Sequence, residues 1–129
     1  MFKPSKQPAL LVNLAGAHLP PVALSIPAQY QFCVDAGVSA AEGFFDDLTA
    51  IGLHDHIAFS MHVFTSSVRA GMVASGDYSP GTMQACVDAF AAGYLGRIQQ
   101  ELRHFHGESR GRNQTTAAAH LYANSHTNH

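Results

Sequence analysis

Residues 74–82 read "ASGDYSPGT", and this stretch divides the helical body of the chain. Gly76 and Asp77 suit a tight turn. Ser79 followed by Pro80 supplies a cap and a proline at the first helical position. One helix therefore ends near Gly76 and another starts at Pro80, with room between them only for a sharp reversal. Helices joined in this way turn back on each other and bury their apolar faces in an antiparallel hairpin.

The apolar spacing on either side supports two such faces. After the turn, Met83, Val87, Phe90, Tyr94, Ile98, Leu102 and Phe105 follow at intervals of 4, 3, 4, 4, 4 and 3, which predicts a helix ending near Gly107. Before it, Ile57, Met61, Phe64, Val68 and Met72 are spaced 4, 3, 4 and 4. Further upstream, Val34, Gly37, Ala41, Phe44, Leu48 and Ile51 form a stripe at 3, 4, 3, 4 and 3. The two upstream stripes are out of phase between Ile51 and Ile57, so a joint, or two helices meeting, is expected near Gly52. Ser25 and Pro27 mark the start of the helical body.

Residues 1–26 hold four of the six prolines and read as an irregular arm. "PALLV" and "PPVALSIP" could be brief extended pieces, with nothing in the sequence to pair them. Lys3 and Lys6 ahead of "ALLVNLAGA" faintly imitate a secretory leader, but the apolar stretch is short, contains Asn13 and follows Pro4 and Pro8. Residues 108–129 are polar and poor in large apolar groups, and read as a loose tail. The expectation is an all-α fold. It is an antiparallel helical hairpin or small bundle over 27–107, with the arm before it and the tail after it. Two helices alone make a thin core, because each fully buried large apolar side chain contributes about 1.5–3 kcal/mol at most while ordering a residue costs about 1–2 kcal/mol. A second copy, a third helix from the jointed segment, or an external apolar surface is needed to complete the burial.

Composition narrows the functional classes. Of the 129 residues 47% are apolar and only 12% charged, a balance that favours burying helix faces against a partner or an apolar surface. The formal charge of −2, with the few basic residues mostly late in the chain (Arg97, Arg103, Arg110 and Arg112), is no footprint for phosphate binding. No apolar run reaches the length of about 18 residues that a membrane span needs. Cys33 and Cys86 lack zinc spacing and read as small buried thiols.

"IGLHDHIAFSMHVF", residues 51–64, raises the question of a metal. On a helix His54 and His56 diverge by about 200°, and Asp55 and His62, on one face, lie roughly 10 Å apart along the axis. His104 and His106 repeat the divergence near a helix end, where they suit the last carbonyls. His120, His126 and His129 fall in the tail. Asp46 and Asp47 are adjacent and diverge, whereas paired-carboxylate chemistry needs convergence. No nucleophile elbow, Walker loop or dinucleotide fingerprint occurs. The sequence offers no catalytic centre, metal site or cofactor site.

The order of features over residues 27–107 resembles the phasin family. "PAQYQFCVDAGVSAAEGFFDDLTAIGL" is similar to the family's opening helix, and "HDHIAFSMHVFTSSVRAGMVA" to its segment rich in Ala, Ser and His. "SGDYSPGT" stands at the family's short Asp/Pro break, and "FAAGYLGRIQQELRHF" resembles the closing helix. The chain departs from the family in its Pro-rich arm, its many glycines and its scarce Lys and Glu. The resemblance implies a non-catalytic, cytoplasmic, self-associating protein that coats polyhydroxyalkanoate storage granules. The large stripe residues would be the apolar contact set: Phe44, Phe45, Leu48, Ile51, Ile57, Met61, Phe64, Phe90, Tyr94, Ile98 and Phe105. The alternative is a soluble helical adaptor, a chaperone or regulator that docks one protein partner through the same stripe.

Overall fold

The computed structural model describes the backbone of residues 10–12 and 19–123 and the side chains of residues 19–107. Among the described residues, two short strands, β1 (Leu10–Val12) and β2 (Val22–Leu24), precede a 3-10 turn at Ala28–Tyr30 and three helices. The helices are α1 (Gln31–Phe45), α2 (Leu53–Ser75) and α3 (Pro80–Ala123). They pack as a small bundle, and the chain is all-α in class.

Each helix boundary has a local cause. Pro27 holds extended backbone, and the Tyr30 N–H bonds the Pro27 carbonyl at 3.0 Å, so the chain winds up through the 3-10 turn into α1. After Phe45 the Asp47 carboxylate accepts both the Thr49 N–H at 3.0 Å and the Thr49 hydroxyl at 2.7 Å. Such local bonds compete with the helical ladder. The expected stripe through Leu48 and Ile51 is therefore cut at Phe45, and both residues lie in an exposed connector. The joint expected near Gly52 is this connector, and it makes two separate helices.

At the far end of α2, Gly76 takes φ 79°, a left-handed conformation that suits glycine. Its N–H reaches the Val73 carbonyl at 3.2 Å, and the Asp77 N–H reaches the Met72 carbonyl at 2.8 Å, the two bonds of a Schellman ending. Ser79 then caps α3, its hydroxyl accepting the Thr82 N–H at 3.3 Å with Pro80 as the first helical residue. The reversal at 74–82 is thus built from the residues that the sequence offered for it.

Contact pairs set the directions. Positions on α1 and α3 rise together, with Gly37 beside Phe90 and Tyr94, and Glu42 beside Arg97, so these helices are parallel. Positions on α2 and α3 run in opposite senses: His56 meets Tyr94, and Phe64 stacks on Phe90 with ring centroids 4.5 Å apart. The topology is up, down, up.

The α1–α3 contact is the closest in the fold. A Cβ on Gly37 would collide with the Phe90 carbonyl oxygen and stand 2.7 Å from the Tyr94 nitrogen. A Cβ on Gly93 would collide with the Val34 carbonyl in return. Each helix therefore offers a glycine to the other's backbone, and both glycines are required by contact. Cys33, Val34 and Ala41 of α1 and Met83, Cys86, Ala89, Phe90, Tyr94 and Ile98 of α3 are buried around this crossing.

Two expectations differ from the structure. The N-terminal pieces pair after all: β1 and β2 are antiparallel, with Leu10 opposite Leu24 and Val12 opposite Val22. Their pairing follows from packing, because Val22 and Leu24 bury against Cys33, Val34, Met83 and Cys86, and a strand so anchored presents an edge to β1. The Gln100 side-chain NH2 adds a bond to the Pro20 carbonyl at 2.7 Å, holding the arm to α3. Secondly, α3 passes Gly107 and continues to Ala123. Apolar spacing marks where a helix packs, whereas helical backbone persists where no proline intervenes and alanines such as Ala117–Ala119 favour it. Residues 124–129 of the expected tail lie outside the described residues, as do residues 1–9 and 13–18 of the arm.

Candidate functional site

α2 is the helix with unspent apolar surface. It starts at Gly52, in extended conformation, with the His56 N–H bonding the Gly52 carbonyl at 2.9 Å and Asp55 placed favourably in the first turn. Of its 23 described residues none is buried. Its inward stripe, Ile57, Met61, Phe64, Val68 and Met72, is only half-buried against the two core clusters. At about 100° per residue, Phe59, Val63 and Val73 fall on the opposite arc of the same helix. They are 65%, 49% and 61% exposed.

An open groove of about 350 Å³ runs between this arc and α1. Ala36, Ala40 and Phe90 contribute to its lining from α1 and α3, and Phe59, Val63 and Phe64 from α2. Ser60 and Ser67 supply hydroxyls to its wall. Phe32, one turn before Ala36, is also exposed. On α3, Leu102 and Phe105 continue the inward stripe beyond Ile98 and are exposed, as is Leu95 beside that stripe. Leu48, Ile51 and Leu53 in and beside the α1–α2 connector add to the exposed apolar surface. Exposed apolar residues in such number mark a binding surface.

The contact set expected from the stripes divides three ways. Leu48, Ile51 and Phe105 are exposed. Phe44, Phe45, Ile57, Met61 and Phe64 are half-buried, packed on the cluster of Ala41, Phe90, Tyr94 and Ile98. Phe90, Tyr94 and Ile98 are core. Phe59, Val63, Val73 and Leu95 were not in that set. On α2 the missed residues form a second arc opposite the inward stripe, and on α3 Leu95 stands singly beside its stripe.

Polar groups near the core are spent on packing. The Tyr94 hydroxyl and His56 Nδ1 share a bond of 2.6 Å, and the Phe44 ring lies 5.3 Å from the imidazole. Burial pushes the Tyr94 hydroxyl above its ordinary range, so it holds its proton. Arg97 is buried between Glu101 at 2.7 Å and Glu42 at 3.4 Å, with its guanidinium 4.9 Å from the Phe45 ring centroid. His54 bonds exposed Asp55 at 3.2 Å, and His62 is exposed, so the three imidazoles of 54, 56 and 62 do not converge. Among the described residues no three His, Cys, Asp or Glu side chains gather as metal ligands would. Asp47 serves its own turn: bonds from the Thr49 hydroxyl and N–H hold its carboxyl below the usual range.

Comparison with known proteins gives no match to any family model, curated protein or solved structure. Among the described residues no helix is long and apolar enough to cross a membrane.

Proposed function

We propose that this chain works by covering an apolar surface, with the outward arc of α2 as the contacting face, and that the surface is the polyester of a storage granule. The observation that supports this is the double apolar character of α2: half-buried within the bundle on one side and bearing exposed Phe59, Val63 and Val73 on the other. An amphipathic helix adsorbs in proportion to the apolar area it removes from water. The resemblance to phasins supplies the polyester and the cytoplasmic granule. No bond is made or broken in this role. The exposed apolar residues of α2 and α3 serve contact between copies of the chain when no granule is present.

The test is adsorption to amorphous polyhydroxybutyrate particles. A Phe59→Asp/Val63→Asp variant, its helicity checked by circular dichroism, loses at least about tenfold in affinity, since two apolar contacts of about 1.5–3 kcal/mol each are removed. Adsorption equal to the unsubstituted chain contradicts the proposal.

The groove between α1 and α2 favours a second reading. Its small-residue wall of Ala36 and Ala40 facing Phe59 and Phe64 suits an amphipathic helix from a partner protein. An adaptor of this kind ignores polyester particles and co-purifies with one defined protein, and the double variant then loses that protein.

A further inference from the structure

Cys33 on α1 and Cys86 on α3 stand 53 positions apart in sequence, and both are buried in the cluster that the two helices share with β2. Within that cluster Cys86 is near enough to help burial raise the Cys33 thiol. A disulfide needs Cα atoms about 4.4–6.8 Å apart, closer than most positions on helices whose axes stand about 8–10 Å apart. Here the mutual glycine contact at Gly37 and Gly93 draws the backbones together about a turn beyond Cys33. We infer that Cys33 and Cys86 close a reversible disulfide that pins α1 to α3, and that it forms only when α2 lifts away from them.

The cover over the thiols is what makes the reaction conditional. Phe64, Val68 and Met72 of α2 pack on the cluster from one side, and Val22 and Leu24 of β2 form part of it on another. α2 is the helix with no buried residue, so it is the cover that opens at least cost. Burial, with the Cys86 contact adding to it, pushes the Cys33 thiol up to about 12, so the closed bundle supplies no Cys33 thiolate. Water admitted by the lifting of α2 returns the Cys33 thiol toward its ordinary range.

The oxidant is a low-molecular-weight disulfide. One protein thiol, Cys86, loses its proton to solvent and its thiolate attacks one sulfur of the oxidant, whose S–S bond breaks to release one small thiolate. Cys33, deprotonated in turn, attacks the Cys86 sulfur and expels the second small thiolate. Two protein thiols are oxidised to one disulfide, the oxidant is reduced to two small thiols, and the two protons end on those thiols. With α1 pinned to α3, further opening is confined to α2.

The experiment treats the full-length protein with oxidised glutathione and follows tryptic peptides 7–69 and 70–97 by mass spectrometry. The expected result is a joined peptide pair lighter by two hydrogens and separated by dithiothreitol. The oxidised chain should show a Tm higher by on the order of 10 °C. Phe64→Ala, which loosens α2, accelerates closure several-fold, while Phe59→Ala on the outer arc leaves it unchanged. Glutathione adducts that never close, a joined chain with a Tm below the reduced one, or equal closure rates with and without Phe64→Ala overturn the inference. Should Phe64→Ala fail to fold, sub-denaturing urea on the unsubstituted chain replaces it, and a closure rate that stays flat until global unfolding overturns the inference equally. None of these readouts depends on binding to polyester.

Discussion

α3 and α2 each carry apolar residues on more than one face, yet they hold them differently. α3 buries Met83, Cys86, Ala89, Phe90, Tyr94 and Ile98, and meets α1 through a glycine on each side. α2 has no fully buried residue and leaves Phe59, Val63 and Val73 exposed. The α1–α3 pair is therefore the scaffold and α2 the accessory helix. The division follows from backbone approach: glycine lets α1 and α3 touch main chain to main chain, whereas Phe64 and its neighbours hold α2 at side-chain distance. Close packing of backbones brings many atoms into contact at once. A helix held off by its own large side chains forgoes that gain and keeps apolar surface for something else.

The comparison is broken most severely at the glycines. Gly37→Val or Gly93→Val costs about 3 kcal/mol or more, because the added atoms meet backbone that cannot rotate away. On the accessory helix, Gly71 has open space around it, and Gly71→Ala raises stability by about 0.5–1 kcal/mol. Urea unfolding of the three variants reads both signs, and a destabilising Gly71→Ala would place α2 in the scaffold.

Phenylalanine truncations give the next largest contrast. Phe90→Ala lowers stability by about 3–5 kcal/mol, as removal of a buried aromatic does. Half-buried Phe64→Ala costs about 1–2 kcal/mol by lost burial. Phe59→Ala stays within about 0.5 kcal/mol, since its ring touches mostly water. If all three cost the same, the outer arc of α2 is not free.

A smaller effect is expected where α2 is tied to α3 by a polar contact. Tyr94→Phe removes the 2.6 Å bond to His56 and costs about 1 kcal/mol in thermal or urea unfolding. The smallest concerns alkaline pH. The folded chain holds the Cys33 proton more tightly than the unfolded chain, so this contribution is fully present below pH 9.0 and is lost as pH rises toward about 12. Tyr94, raised from 10.0 by burial, adds a decline in the same direction above that pH. In Cys33→Ala, measured in reducing buffer, the alkaline fall is shallower, and an unchanged slope contradicts the assignment.

How much of this was legible beforehand differs by region. The turn at 74–82 was readable because its signals are local: a left-handed glycine, a capping serine and a proline at the first turn. The stripes through Phe90, Tyr94 and Ile98 named core residues correctly as apolar but could not say whether they faced a partner or each other. The pairing of β1 with β2 was not readable, since it depends on Val22 and Leu24 finding a cluster formed by distant helices. Nor was the contact of Cys33 with Cys86, which depends on two glycines meeting across the bundle. The outer arc of α2 was readable in principle. Phe59, Val63 and Val73 share a face, but a period search satisfied by Ile57, Met61 and Phe64 stops before reaching them.

The central claim, that α2 is the loosely held helix whose outer face does the work, is tested most directly by amide hydrogen exchange resolved by helix, with and without polyester particles. The account predicts that in the free protein α2 amides exchange at least about tenfold faster than those of α1 and of α3 around Phe90, and that particles slow α2 selectively. Equal protection of all three helices, unchanged when particles are added, contradicts it.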